Sequence, residues 1–277
     1  MALCNSRLTQ PVRLTPIGFF RSTSAMTRGS IRTRVFVIGS TSGTFWGCVA
    51  GRVCPYSAEF CNEFVLDPIP DLEFFKDAHR YMWRGDWVLH NVSEVVSHDM
   101  SPFAKDAMEK HRHGPDGWEL RGRVLHRVLQ AHLENQPSVH EDRWDPWIEP
   151  LLSDPLFQGI ETLATEYLLV DRYRSVCGST DFVIRLKDDP SFVILGDLKT
   201  VSSKKAVSSR KSPLAQLGAY ARMWQQWHPK VRITECVTVI SGPEKCKVRR
   251  HSPEDDCIPA WEECWGKFQA LQPVADF

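Results

Sequence analysis

The middle of the chain alternates between helical and strand-like spacing of its apolar residues. From Trp118 to Leu133 apolar side chains recur every three or four positions, which predicts an amphipathic helix. Pro213–Trp227 is a second helical segment, and Val231–Ile240 is an apolar, β-branched run typical of a buried strand. Between the helices lie three strand-like runs, Glu166–Tyr173, Thr180–Leu186 and Phe192–Leu198. The pattern predicts an α/β (α+β) domain whose core runs helix, three strands, helix, strand over residues 118–240.

The segments that flank this core have shorter patterns. Asp71–Trp83 predicts a short amphipathic helix, and Trp87–Val96 alternates as a strand or hairpin does. Ser101 is placed to cap a helix that runs to Lys110, with Pro102 at its first position. The remaining predictions are an irregular, Trp-rich stretch over Pro137–Asp154, a helix over Pro155–Leu163, a Ser/Lys-rich loop over Val201–Ser212, a strand over Lys245–Arg250 and a helix over Ile258–Leu271.

The formal charge of the 277-residue chain is zero in total but unevenly distributed. Seven arginines and no acidic residue precede Glu59, and removing these from the 34 basic residues leaves 27 against 34 acidic ones. A chain with this acidic body would need a local basic patch in order to bind nucleic acid. No apolar run is long enough to span a bilayer, which argues against an integral membrane protein.

The basic N-terminal segment is interpreted separately from the rest. Its Arg, Ser and Thr content is typical of an organellar transit peptide, of a disordered basic arm, or of an upstream extension with Met26 or a later Met as the start. We therefore expect a targeting-like segment over residues 1–60 and one domain over residues 61–277. A bacterial or phage protein would be cytoplasmic, and a protein with a transit peptide would be organellar.

The nine cysteines contain no CxxC pair. An odd number without close spacing argues against a disulfide framework and against a zinc knuckle. Free thiols in a reducing compartment are the favoured interpretation.

Two acidic residues on neighbouring strands carry the main chemical signal. Asp181 lies in one predicted strand, and the string GDLKT, Gly196–Thr200, ends the next. Asp197 and Lys199 share a face of their strand because they are two residues apart. Two carboxylates and the Leu198 carbonyl can converge on a hard cation, beside which the Lys199 ammonium would offset phosphate charge. An Asp-x-Lys string alone is more often a solvated ion pair.

Three further features surround this string in order along the chain. His126 on the upstream helix can add a nitrogen ligand, although a lone histidine is more often an ordinary boundary residue. Glu166, at the start of its predicted strand, offers another carboxylate. Gln216 and Tyr220 are four residues apart on the later helix, so an amide and a phenol face one way. Taken alone, such a pair more often packs against its neighbours or lies in solvent.

This ordered set resembles the PD-(D/E)XK nuclease superfamily, and within it the RecB-like exonuclease branch. The family's GxxxH helix maps onto Gly122 and His126, and its GxxD strand onto Gly178 and Asp181. Its D-x-K-T maps onto Asp197, Lys199 and Thr200, and its QxxxY helix onto Gln216 and Tyr220. The chain has Thr180 where the family name has proline. The compact cysteine spacing of the iron–sulfur subfamily is absent.

The resemblance implies a restriction-endonuclease-like αβββαβ core with a mixed sheet flanked by helices. It also implies metal-dependent DNA hydrolysis in DNA repair, recombination or replication, most often from a strand end. The implied ligands of Mg²⁺ or Mn²⁺ are His126, Asp181, Asp197 and the Leu198 carbonyl. Lys199 is implied as catalytic, with Glu166, Gln216 and Tyr220 beside it.

A basic patch suited to DNA follows the catalytic string. We expect phosphate contacts from Lys204, Lys205, Arg210 and Lys211, although each is equally typical of a solvated loop. A second basic set lies on the last strand, at Lys245, Lys247, Arg249 and Arg250. Trp144 and Trp147 are suited to stacking on single-stranded bases, and core packing is their commoner use.

Three functions remain open on the sequence. The first is a DNA exonuclease or a related nuclease. The second is a catalytically silent nucleic-acid-binding module on the same fold. The third is a structural protein in which GDLKT is a coincidence. The strand preference, the polarity of cleavage and the oligomeric state are left open.

Overall fold

The computed structural model describes residues 36–39, 45–49, 52–54, 66–78 and 80–272. The chain divides into two compact units, Met1–Glu63 and Phe64–Phe277. The first unit contains an antiparallel sheet of β1 (Phe36–Gly39), β2 (Phe45–Val49) and β3 (Arg52–Cys54). The rest of the predicted targeting-like segment lies outside the described residues.

The second unit contains nine strands and seven α-helices among its described residues. The strands are β4 (Leu72–Phe75), β5 (Arg80–Trp83), β6 (Asp86–Trp87), β7 (His90–Asn91), β8 (Ile160–Val170), β9 (Val176–Leu186), β10 (Val193–Thr200), β11 (Ile233–Gly242) and β12 (Lys245–His251). The helices are α1 (Val92–Val96), α2 (Pro102–Lys110), α3 (Trp118–Leu133), α4 (Asp145–Leu152), α5 (Lys204–Ser209), α6 (Leu214–Trp227) and α7 (Ile258–Ala270). In the part of the chain that is described, no helix combines the length and apolar character needed to cross a membrane.

The central sheet is mixed and has the predicted αβββαβ order. Strands β8, β9 and β10 pair antiparallel, and α6 then carries the chain across to β11, which pairs parallel with β10. β12 pairs antiparallel with β11, and the short β7 pairs parallel with β9. A separate small sheet contains β4, β5 and β6. The mixed α+β class is therefore confirmed.

Each face of the central sheet is covered by helices. Buried residues of α3 and α4, including Leu125 and Leu151, pack against one face. Those of α1, α6 and α7, including Val92, Trp224 and Trp261, pack against the other. The two apolar layers fix the strands from both sides, so polar side chains at the strand ends are held in defined positions.

Two helices predicted from local spacing are wrong. Asp71–Trp83 is a hairpin, because its apolar residues form two groups separated by a polar turn and pair across it, with Phe74 opposite Tyr81. Pro155–Leu163 has only one 3₁₀ turn, Pro155–Phe157, because Gly159 adopts a left-handed φ of 61° and turns the chain into β8.

The prediction of a strand or hairpin over Trp87–Val96 is wrong for its second half. Val92–Val96 is a helix because the side chain of Asn91 caps it, accepting a hydrogen bond from the Glu94 N–H at 2.7 Å.

Two other segments are more regular than their patterns indicated. Helix α4 lies within the stretch that we expected to be irregular, and α5 within the predicted Ser/Lys-rich loop. The Ser101 cap of α2 is confirmed by its hydrogen bond from the Ala104 N–H at 3.2 Å.

Two glycines of the sequence motifs have opposite surroundings. A Cβ atom at Gly196 would lie 1.9 Å from the buried ring of Phe182 on β9. A Cβ atom at Gly122, inside α3, would meet nothing within 4 Å. Gly196 is therefore required by close packing, whereas the packing of α3 does not require Gly122.

We expect the two alanine substitutions to change stability in opposite directions. Gly196→Ala should lower the free energy of unfolding by about 2–3 kcal/mol, because the Phe182 ring has no space to move into. Gly122→Ala should raise it by about 0.5–1 kcal/mol, through the better helix propensity of alanine. Urea unfolding of both variants measures this, and a Gly196→Ala protein as stable as the parent would contradict the packing argument.

Candidate active site

The site lies where the pairing between β9 and β10 ends. The ladder runs from Val193 opposite Arg185 to Gly196 opposite Phe182 and then stops. Beyond that point the side chain of Asp181 takes the place of a backbone partner, because its Oδ2 accepts the N–H of Leu198 at 2.5 Å. The N–H and C=O of one strand residue point to the same neighbouring strand. The Leu198 carbonyl is therefore directed to the side on which Asp181 lies.

Asp197 and Lys199 form a buried ion pair beside this break. The Lys199 Nζ lies 2.8 Å from each carboxylate oxygen of Asp197. The Asp197 side chain is only 1% exposed, while that of Lys199 is 23% exposed. A buried pair of this kind contributes little net stability, since desolvation offsets most of the attraction.

His126 brings α3 to the same strand end. Its Nδ1 lies 3.5 Å from Asp181 Oδ1 and 3.5 Å from Glu166 Oε1. One ligand atom from each of these three residues lies within 4.8 Å of the other two. The chain thus brings together one imidazole and two carboxylates from a helix and two strands, which is the geometry of a cation site.

Glu166 reaches this cluster through an unusual backbone. It lies inside β8 rather than at the start of a strand as predicted, and it has a left-handed φ of 45°. The pairing of β8 with β9 is irregular between Thr162 and Ala164 and then runs in one register to Val170, past Glu166. A left-handed residue other than glycine costs about 1–3 kcal/mol.

The register places three acids in a row across the sheet. Thr165 pairs with Phe182 and Tyr167 with Thr180, so Glu166 lies opposite Asp181. The ladder that stops at Gly196 and Phe182 leaves Asp197 as the next residue of β10 beside Asp181. Three adjacent strands therefore each supply one carboxylate.

Gln216 and Tyr220 form a pair near the carboxylates: burial raises the pKa of Tyr220, and the charges of Asp197 and Asp181 add to the rise. The Gln216 Nε2 donates to the Tyr220 hydroxyl at 3.2 Å, so the predicted pair does face one way. Tyr220 is only 3% exposed, and Gly178 leaves room for its ring, because a Cβ there would lie 2.7 Å from it. Tyr220 is thus placed to support the site rather than to touch a substrate.

Tyr81 is a neighbour of the site that the sequence patterns did not single out. Burial raises the pKa of Tyr81 to about 12, and the charges of Cys177 and Glu166 add to the rise. The hairpin that carries Tyr81 was predicted as a helix, so no local signal placed this phenol near Glu166.

Burial and neighbouring charges have opposing effects on the pKa values of the site residues. Burial raises the pKa of Asp197 to about 6, against the effect of Lys199 and with that of Asp181. Burial raises the pKa of Asp181 in the same way, against His126 and Lys199. Burial would lower the pKa of His126, but the carboxylates of Asp181 and Glu166 outweigh it and raise the pKa to about 9. Concentrated negative charge at a partly buried point suits a divalent cation.

The predicted DNA-contacting residues fall into different surroundings. Lys204 pairs with Glu244 at 3.1 Å, and Lys205 is exposed on α5. Arg210 and Lys211 instead line a cavity beyond the end of β10. Trp144 is 3% exposed in the core, and the Trp147 indole donates to the Val201 carbonyl at 2.8 Å. Both tryptophans are therefore packing residues here.

We expect His126 to make the metal-free protein less stable at alkaline pH. Because its folded pKa of about 9 exceeds the ordinary 6.5, its protonated form stabilises the fold fully below pH 6.5. This contribution is lost as the pH rises through 9. The side chain is 31% exposed, so solvent screening reduces the loss to about 1–2 kcal/mol. The melting temperature should be measured in EDTA from pH 6 to 9.5. Its decrease with rising pH should be smaller in His126→Gln than in the parent. It should be unchanged in His132→Gln, a substitution of an exposed histidine on the same helix.

Two substitutions of Glu166 should separate the effect of its backbone on stability from the effect of its carboxylate on metal binding. Glu166→Gly should be more stable than Glu166→Ala by about 1 kcal/mol, because glycine adopts a positive φ without strain. Both variants should bind Mn²⁺ more weakly than the parent, because both remove a carboxylate from the cluster. Urea unfolding and calorimetric titration with Mn²⁺ test the two statements, and equal stability of the two variants would refute the strained backbone.

Comparison with known proteins gives only distant structural likenesses. No protein-family model matches the chain, and no curated protein matches it. The crystal structure of SSO0001 is similar at a TM-score of 0.37 and 16% identity, over 66% of this chain and 76% of the other. An exonuclease candidate from Eubacterium rectale is similar at a TM-score of 0.36 and 13% identity, over 65% and 77%. Likenesses of this size carry no argument about the function of this chain.

Proposed function

We propose that the protein is a metal-dependent DNA nuclease of the RecB-like exonuclease type. The observation that carries the proposal is the convergence of His126, Glu166 and Asp181 at one strand end, with the ion pair of Asp197 and Lys199 beside it. His126, Asp181, Asp197 and Lys199 are among the residues on which the sequence resemblance rests. They come from α3, β9 and β10, and their meeting at one end of the sheet supports the resemblance.

The donor set fits Mg²⁺ or Mn²⁺. Carboxylate oxygens and a backbone carbonyl are hard ligands, and one imidazole suits Mn²⁺ as well. Asp181, Asp197 and the Leu198 carbonyl would hold the ion with His126, and Glu166 adds a carboxylate on the open side. When bound, such an ion polarises a phosphodiester and lowers the pKa of a water ligand.

The remaining residues of the site offset the charge of the phosphate and hold the side chains of the site in position. Lys199 is partly exposed beside two buried carboxylates, so its ammonium can approach a phosphate and offset the charge that develops in the reaction. Asp197 holds that ammonium in place. Gln216 holds the Tyr220 hydroxyl by a hydrogen bond, and Gly178 leaves room for the Tyr220 ring near the carboxylates.

The proposed activity is hydrolysis of DNA from a strand end, in DNA repair, recombination or replication. End-labelled linear, nicked and circular DNA should be incubated with Mg²⁺, with Mn²⁺ and with EDTA. We expect linear DNA to be degraded only with a divalent cation and circular DNA to resist. Cleavage of circular DNA would make the enzyme an endonuclease.

Lys199→Ala should lower the rate at least about a hundredfold, because it removes the cation nearest the reacting phosphate. The matched control is Lys187→Ala, which changes an exposed lysine at the opposite end of the same hairpin. Undiminished cleavage by Lys199→Ala would overturn the assignment. DNA binding without cleavage under any metal would instead identify a silent binding module.

A further inference from the structure

A cavity of about 500 Å³ lies beyond the end of β10 and has a basic lining. Its polar side chains are Arg121, Ser202, Ser209, Arg210 and Lys211. Three of these are cations and two are hydroxyls, and no acidic residue lines the cavity in the described part of the chain. We call it the basic cavity.

Arg121 is the unusual member of this lining. It is only 6% exposed, and its Nη1 donates to the Asp116 carbonyl at 3.2 Å. Its Nε is buried and has no hydrogen-bond partner. A buried N–H of a guanidinium that lacks an acceptor costs stability, so an arginine here needs a reason other than folding. Burial lowers the pKa of Arg121, and Asp116 opposes this only in part.

The cavity and the candidate site share two elements. Arg121 lies five residues before His126 on α3, which is about 7.5 Å of helix rise. Ser202 follows the catalytic strand, which ends at Thr200. A rise of about 7.5 Å is of the same order as two phosphate steps of about 3.4 Å along one DNA strand.

The wall of the cavity is held in a fixed position. The Val201 N–H donates to the Ser241 carbonyl at 2.9 Å, and the Val201 carbonyl accepts from Trp147 at 2.8 Å. At the end of α5, the Lys245 Nζ donates to the Ser208 hydroxyl at 2.9 Å and Arg249 to the Ser208 carbonyl at 2.7 Å. A site built in advance in this way loses less entropy when a ligand binds.

We propose that the basic cavity is a phosphate subsite for the DNA strand, with the Arg121 guanidinium as its buried anchor. The subsite rests on the proposed nuclease function for the identity of its ligand. A guanidinium and two hydroxyls match the oxygens of a phosphate, and Arg210 and Lys211 add charge from the rim. The phosphate belongs either to a strand end or to the backbone, and the two sources predict different binding patterns.

Binding to the full chain is measured in EDTA, so that hydrolysis does not interfere. The probes are three single-stranded 12-mers of one sequence with an internal fluorophore, bearing a 5′-phosphate, a 3′-phosphate or two hydroxyl ends. Inorganic phosphate serves as a competitor. The proteins are the parent, Arg121→Gln, the double variant Arg210→Gln/Lys211→Gln, and the control Arg123→Gln, a change at an exposed arginine of the same helix.

A terminal phosphate would give the parent a preference of about tenfold for one phosphorylated end, and Arg121→Gln would lose it. A backbone phosphate would give equal binding of all three probes, and Arg121→Gln would weaken each about tenfold. In either case the negative slope of log K against log salt should become shallower by about 0.7 in Arg121→Gln, because one phosphate contact is lost. Arg123→Gln should keep the preference, or the affinity, of the parent.

A stability measurement separates this role from a structural one. Arg121→Gln should be at least as stable as the parent, because it removes a buried charge with an unpaired N–H. A large loss of stability with unchanged binding would overturn the proposal. If Arg121→Gln does not fold, the exposed double variant decides by the same binding assay, and parent-like binding by that variant would overturn the proposal.

The binding assay also separates this inference from the nuclease function. Loss of cleavage in Lys199→Ala with parent-like binding in Arg121→Gln would remove the subsite and leave the function. Arg121-dependent binding without any cleavage would remove the function and leave a phosphate site.

Discussion

The arrangement of the candidate site depends on one hydrogen bond, from the Leu198 N–H to the Asp181 carboxylate. Where β9 and β10 cease to pair, a buried backbone N–H would otherwise lack a partner, and such a group is costly. Asp181 satisfies it with one oxygen and presents the other to His126. The end of regular pairing between β9 and β10 is thus where the candidate site begins.

Folding and chemistry make opposite demands at this strand end. The apolar layers around α3 and α6 stabilise the domain, whereas the buried carboxylates and the left-handed Glu166 reduce its stability. Arg121 also does not stabilise the domain through its Nε, which is buried without a hydrogen-bond partner. The residues of this strand end therefore lower the stability of the fold that positions them.

The sequence predicts the parts of the fold that have a strong period. Helix α3 has the predicted bounds, and the strand order follows from apolar runs. His126 and Asp181 could be placed together because motif and strand order agree. Three features could not be predicted: the hairpin of Tyr81, the backbone of Glu166 and the burial of Arg121. The hairpin is local, with Phe74 opposite Tyr81, but its apolar spacing also fits a helix. The other two depend on how β8 and α3 pack in the fold, which no local pattern contains.

The contact between His126 on α3 and the acids of β8 and β9 has a mechanical consequence. Without an ion, α3 is joined to this end of the sheet by the attraction between the His126 imidazolium and the carboxylates of Asp181 and Glu166. An ion held by both elements would act as a reversible cross-link between a helical layer and the sheet. Amide hydrogen exchange in α3 and in β9 would then slow together, although the two are far apart in sequence.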